Sequence, residues 1–351
     1  MLTSATQERQ LEPRYRRVLS FGDVLDESIG LFRRHWAVFA MVSAVWLIPP
    51  GLLTVLITAS GALNTTALVS QIETGVTPDL SNISQIVSSV LLIYVVSALF
   101  YLAWTAAIVV TTDEYVHAVT PKLSSVLVRT LRRFLPTLLS GLAYAVAMVF
   151  LIFVATAIFV LFVVAFPVSL LAIVAAIAGG IVWAAQPRAR SIWLKWLIIL
   201  ATPFGLPTYF AGLWSMYLCA AVLERRGPIA ALRRSMQLVD RHWFRVVAIL
   251  VVAGLIVSIL QAAPTTLVQL PLTISAALRG QIGLSGPEMA VSTAVGVVAQ
   301  ILFASMASIV YAMLFVDLRN RREGTDLAER LQRLESESTV APGSPSPGSS
   351  V

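Results

Sequence analysis

The sequence predicts an all-α fold: a polytopic transmembrane helical bundle of about six to seven spans, with three amphipathic interfacial helices in a threefold internal repeat. Three observations lead there. Hydrophobic residues make up 58% of the 351-residue chain and charged residues only 12%, with a mean hydropathy of +0.84, whereas a soluble domain carries about 25% charged residues. The apolar residues come in uninterrupted blocks of hydrocarbon-spanning length, about 20 residues at roughly 1.5 Å each. The basic residues collect in the hinges between those blocks.

Residues 1–20 form a polar, Arg-rich arm, too long for an ordinary signal-peptide n-region, so the first apolar block is expected to be a retained anchor. That block, 36–59, contains Pro49-Pro50, which predicts a bend or break in the first span. The loop 60–85 carries Glu73 and Asp79 but no Lys or Arg, and the second span is expected over 86–111. Residues 134–186 are almost unbroken apolar sequence, interrupted by Pro136 and Pro167. At roughly 1.5 Å per residue that is about 80 Å, enough for two crossings, or for one crossing plus a partial insertion. A further block, 196–222, is kinked at Pro203 and Pro207. Residues 246–263 and 289–316 supply the last two spans, with a Pro-bearing connection over 264–288. The helical membrane domain therefore covers 21–335, and the Ser/Pro/Gly tail 336–351 is expected to be disordered.

Counting Lys and Arg by segment sets the orientation. The segments 1–35, 113–133, 223–245 and 317–333 hold 21 of the 25 basic residues. Both termini and the two internal segments are therefore expected in the cytoplasm, with the protein in a cell membrane, such as a bacterial inner membrane. One conflict follows. Two crossings by 134–186 would make 188–195 cytoplasmic and leave the Arg-rich 223–245 outside, unless 196–222 is re-entrant. One crossing by 134–186 avoids this and is preferred.

The repeats start near residues 21, 122 and 227, each an amphipathic helix followed by a basic pair and then a span. They read FGDVLDESIGLFRRHW, KLSSVLVRTLRRFLP and GPIAALRRSMQLVDRHW, and the tripeptide RHW recurs at 34–36 and 241–243. A helix of this pattern lies at a membrane surface, one stripe among acyl chains and its arginines among phosphates. Candidate headgroup contacts are Arg33, Arg34, Arg132, Arg133, Arg233, Arg234 and Arg241. Anionic lipid attracts each such residue by about 1 kcal/mol. The plainer alternative is a collar that only sets topology.

The run Val222-Leu223-Glu224-Arg225-Arg226-Gly227-Pro228-Ile229-Ala230-Ala231-Leu232-Arg233-Arg234-Ser235 and the run Tyr311-Ala312-Met313-Leu314-Phe315-Val316-Asp317-Leu318-Arg319-Asn320-Arg321-Arg322-Glu323-Gly324-Thr325-Asp326-Leu327 carry a resemblance. Together they resemble bacterial membrane proteins named after the membrane domain of glycerophosphoryl diester phosphodiesterases. The resemblance extends over roughly 20–327 in helix order, with its distinctive motifs in about thirty residues. It implies a helical membrane domain with repeated collar helices and no activity. In the namesake enzymes hydrolysis belongs to a separate soluble barrel, for which this chain has no room.

Catalytic chemistry finds little footing. The three histidines form no H-E-x-x-H, and Cys219 is the only cysteine. No cofactor and no metal site are expected, although His35 and His242 occupy equivalent collar positions and could face one another. Asp113-Glu114 reads as a solvated membrane-edge pair more readily than as a general acid and base. Glu224 reads as a structural ion-pair partner for Arg225, Arg226 or another collar arginine. The span cores contain no Asp, Glu, Lys, Arg or His, which lowers the case for proton or ion coupling. Tyr144, Tyr209, Tyr217, Gln261 and Gln300 could still hold a neutral substrate, or simply bond neighbouring helices.

The net charge of +7 does not point to nucleic acid, because the basic residues flank apolar blocks and form no soluble basic face. The expected partners are anionic lipid headgroups on the cytoplasmic side and a membrane-protein partner. The expected function is a non-catalytic scaffold or partner-binding membrane subunit. The alternative is a transporter or lipid-handling membrane protein without intramembrane charges.

Overall fold

The computed structural model describes residues 19–62, 80–164, 205–281 and 283–323. Among these residues the fold is entirely helical. The elements are α1 (Phe21–Ala59), α2 (Leu80–Val116), α3 (Leu123–Arg132), α4 (Phe134–Val164), α5 (Gly205–Leu213), α6 (Tyr217–Leu223), α7 (Pro228–Val239), a 3-10 turn (Asp240–His242), α8 (Trp243–Leu278), α9 (Gly286–Phe303) and α10 (Ser305–Glu323). The far part of the 134–186 block, the disputed 188–204, nearly all of the 1–20 arm and the 336–351 tail lie outside the described residues.

Five stretches are long and apolar enough to cross a bilayer: Phe21–Ala59, Ile83–Val116, Phe134–Ala157, Pro228–Leu278 and Gly286–Arg322. A shorter apolar stretch covers Pro207–Leu223. Helical periodicity separates their faces. On α1 the buried Phe39, Val42, Ser43 and Leu47 alternate with exposed Met41, Val45, Ile48, Leu52 and Leu56. On α8 the buried Val246, Ile249, Ala253 and Val257 oppose exposed Val251, Leu255 and Ile259. So much outward apolar surface is untenable in water and fits a hydrocarbon surround.

The last described helix, α10, is the centre of the bundle. In its most apolar window the Gly286–Arg322 stretch is 72% buried, against 6% for α2. Ile309, Val310, Met313, Leu314 and Phe315 of α10 are enclosed by α1, α2, α6, α7 and α8. Trp104 of α2 completes this core, with its indole N–H donating to the Ser43 hydroxyl at 2.9 Å.

Two proline expectations are corrected. Pro49-Pro50 does not break α1, whose one non-helical residue is His35. There α1 lies hard against α9: a Cβ on Gly51 would come within 2.6 Å of Val297 Cγ1. Close packing holds the helix where two backbone bonds are lost. The connection expected over 264–288 is instead largely helix, because α8 continues through Pro264 and Pro271 to Leu278. These prolines are seven apart and so share one face, and the exposed Leu267, Leu270 and Ile274 give this stretch an apolar exterior. On the return, α9 and α10 follow one another through Ala304, whose N–H still donates to the Gln300 carbonyl at 2.9 Å.

The repeat is a repeat of backbone shape as well as of letters. The three collar helices end at His35 (φ −126°, ψ 24°), Arg133 (φ −106°, ψ 4°) and His242 (φ −120°, ψ 21°). All three lie near the sparsely used bridge between helical and extended backbone. An aromatic residue follows each: Trp36, Phe134 and Trp243. Seven residues before the kinks, Ser28, Val126 and Ser235 are fully buried. Seven residues after them, Val42, Ser140 and Ile249 are fully buried too.

Candidate functional site

A carboxylate at the end of an apolar helix is in a poor place. Burial penalises its charge, and the negative end of the helix dipole repels it. Three carboxylates lie at the arginine-rich end of this bundle, Glu114 and Glu224 at the ends of their helices and Asp317 buried six residues before the end of α10, and each is compensated by arginine.

Asp317 of α10 is 1% exposed. It accepts from the Leu19 backbone N–H at 2.8 Å, from Arg245 Nη1 at 2.7 Å and from Arg321 Nε at 2.9 Å. Arg245 Nη2 also donates to the Leu19 carbonyl at 2.8 Å, as does Arg321 Nη2. One buried charge thus ties the entry of α1 and the start of α8 to the central helix. Glu114, in the last turn of α2, is 2% exposed and paired with Arg129 of α3. Glu224 caps α6. Its carboxylate accepts from Arg226 Nε at 2.6 Å and from Arg234 Nε at 3.0 Å. Charge-assisted pairs of this kind are the stronger hydrogen bonds of a protein.

Of the seven arginines singled out in the sequence, Arg33, Arg34, Arg132, Arg233 and Arg241 are exposed. Arg234 is instead committed to Glu224. Arg133 donates to the carbonyl of Val222, which secures the end of α6 against the start of α4. Burial, together with the neighbouring Arg225 and Arg129, pushes the Arg133 guanidinium below its ordinary value, while Asp113 opposes the shift.

Asp113-Glu114 is not a solvated pair. Asp113 lies 3.4 Å from the His117 ring, but Glu114 is buried. Sequence reasoning missed its role, because Arg129 sits beyond the intervening turn. It also passed over Asp317, Arg245 and Arg321, for which the one available signal was an acidic residue closing an apolar run. His35 stacks on Tyr115 with ring centroids 4.1 Å apart. His242 lies in the field of Arg321, Arg245 and Asp317. Among the described residues no group of three or more His, Cys, Asp or Glu side chains is placed to hold a metal ion.

Deeper in the bundle is a partly open cavity of about 480 Å³, within the usual range of ligand pockets. Its lining is mostly apolar but includes four tyrosines: Tyr101 (α2), Tyr144 (α4), Tyr217 (α6) and Tyr311 (α10). The rings of Tyr144 and Tyr217 stack 4.7 Å apart and 6° from parallel. The structure therefore unites two of the polar residues singled out from sequence and adds Tyr101 and Tyr311. Tyr209 packs instead on Trp243, whose indole N–H donates to the Tyr209 carbonyl at 3.0 Å. Gln261 and Gln300 are not in the lining.

The chain matches no family model, no curated protein and no solved structure.

Proposed function

We propose that this chain is a non-catalytic, multi-pass membrane module whose arginine-rich end lies on the cytoplasmic surface, meets anionic lipid headgroups and offers a platform to a membrane-protein partner. The observation that carries this reading is the division of labour among the arginines. Arg129, Arg245 and Arg321 are consumed by the buried Glu114 and Asp317, and Arg234 by the half-buried Glu224, while Arg33, Arg34, Arg132, Arg233 and Arg241 remain exposed on the collars. Exposed apolar residues accompany them on the same collars: Trp36, Leu131 and Ile229 are 55%, 60% and 79% exposed. Cations mixed with apolar side chains suit the headgroup boundary of a bilayer. The arginine excess at this end supports cytoplasmic termini. The resemblance to membrane domains of glycerophosphoryl diester phosphodiesterases supports the same architecture without an activity.

The test joins topology to partnership. In a Cys219→Ser background, a single cysteine replacing Arg225 should label only from the cytoplasmic side, and one replacing Arg279 only from the opposite side. Labelling of both from the same side rejects the orientation. Crosslinking in native membranes should recover a recurrent membrane-protein partner; recovery of none rejects the platform role.

A further inference from the structure

Below the arginine end, the cavity and the start of α4 share one pair of helices, α4 and α6. Arg133 precedes α4 by one residue and is hydrogen-bonded to Val222 of α6. Arg225 follows Glu224, the residue that caps α6, and turns there with φ +55°, in the left-handed region. The two guanidinium groups lie close enough to repel each other. Tyr144 is eleven residues into α4 from Arg133, about 16 Å along the axis. Tyr217 is five residues back from Val222, about 8 Å. None of the hydroxyls of Tyr101, Tyr144, Tyr217 and Tyr311 has a hydrogen-bond partner among the described residues, and all four side chains line the one cavity, where the rings of Tyr144 and Tyr217 stack.

We propose that α4 and α6 hold one anionic glycerolipid, its phosphate on Arg133 and Arg225, its ester oxygens at the phenol cluster, and an acyl chain in the cavity. The chemistry selects this class. Two adjacent cations without a dedicated carboxylate of their own take a phosphate. Phenol hydroxyls, which donate as well as accept, suit neutral ester oxygens. The apolar remainder of the lining suits hydrocarbon. This site rests on the placement of the arginine end at the membrane surface, and adds to it a single defined position distinct from diffuse contact.

Native mass spectrometry of the full chain, delipidated in detergent, tests it. Four probes are added separately: dioleoyl phosphatidylglycerol, dioleoyl phosphatidylcholine, dioleoylglycerol and inorganic phosphate. One tight adduct is expected with phosphatidylglycerol, about tenfold weaker binding with phosphatidylcholine, and none with phosphate alone. Arg225→Gln, at an exposed position, should weaken the adduct about tenfold, and Tyr144→Phe or Tyr217→Phe about three- to tenfold. Equal retention of both phospholipids, tight binding of inorganic phosphate alone, or indifference to all three substitutions overturns the proposal. A variant combining Arg33→Gln, Arg34→Gln, Arg233→Gln and Arg241→Gln separates the two readings. It should reduce weak additional adducts and keep the tight one. Loss of the tight adduct in that variant sinks the defined site but leaves the surface reading intact.

Discussion

His35 stacks on Tyr115, ring centroids 4.1 Å apart and planes 22° from parallel, so the first kink of the chain rests directly on the residue after Glu114. The contact locks the first collar against the end of α2, and Phe39, four residues on, meets the same ring at 5.9 Å. Such aromatic pairs contribute about 0.5–1.5 kcal/mol beyond their burial. Tyr115→Ala should therefore loosen the first kink, read as faster hydrogen exchange in α1 around His35. Exchange unchanged there would show that the stacking does not hold the kink.

Asp317→Ala should be among the most destabilising single changes. It leaves Arg245 and Arg321 facing each other and the Leu19 N–H without its acceptor. Breaking a buried pair costs about 3–5 kcal/mol. Thermal unfolding in detergent should show a large drop in Tm, and an Arg245→Met/Asp317→Leu pair should recover much of it. A single variant with wild-type Tm refutes the clasp.

Two glycine substitutions should have opposite signs. In Gly212→Ala the new methyl meets Trp243 Nε1 at 2.5 Å and Val247 Cγ2 at 2.8 Å, and the indole cannot yield without losing its bond to the Tyr209 carbonyl. Overpacking of this kind costs about 1–3 kcal/mol. At Gly254 of α8 an added methyl would meet nothing within 4 Å, so Gly254→Ala should stabilise by about 0.5–1 kcal/mol through helix propensity. Paired unfolding measurements that rank the two in the reverse order contradict the packing described.

Ser43→Ala removes the acceptor for the buried Trp104 indole. An orphaned buried donor costs about 1–3 kcal/mol. Lowered stability together with a shift in tryptophan emission is expected. A neutral result would mean that the indole finds another acceptor.

What was legible in the sequence was whatever depends on neighbours in the chain. Uncharged blocks announce helices that can span, and Arg34-His35-Trp36 and Arg241-His242-Trp243 announce equivalent turns into them. What was not legible depends on distant partners. Asp317 meets Arg245 across 72 residues and Leu19 across 298, and no local spacing encodes either. Pro264 and Pro271 misled for a different reason. The rule that proline ends a helix comes from water, where freed carbonyls have other partners; an apolar surround gives the backbone fewer alternatives to remaining helical. The phenol cavity drew Tyr101, Tyr144, Tyr217 and Tyr311 from four helices, so only Tyr144 and Tyr217 stood out as isolated polar residues.

Because the innermost helix is also the last described one, the order of synthesis runs against the order of burial. Phe39, Val42 and Trp104 leave the ribosome long before Met313, Leu314 and Phe315 exist to cover them. Until then the growing bundle is an incomplete ring. Asp317 then acts as a latch, fastening the last described helix to residue 19 and making the first and last described parts of the chain a single mechanical unit.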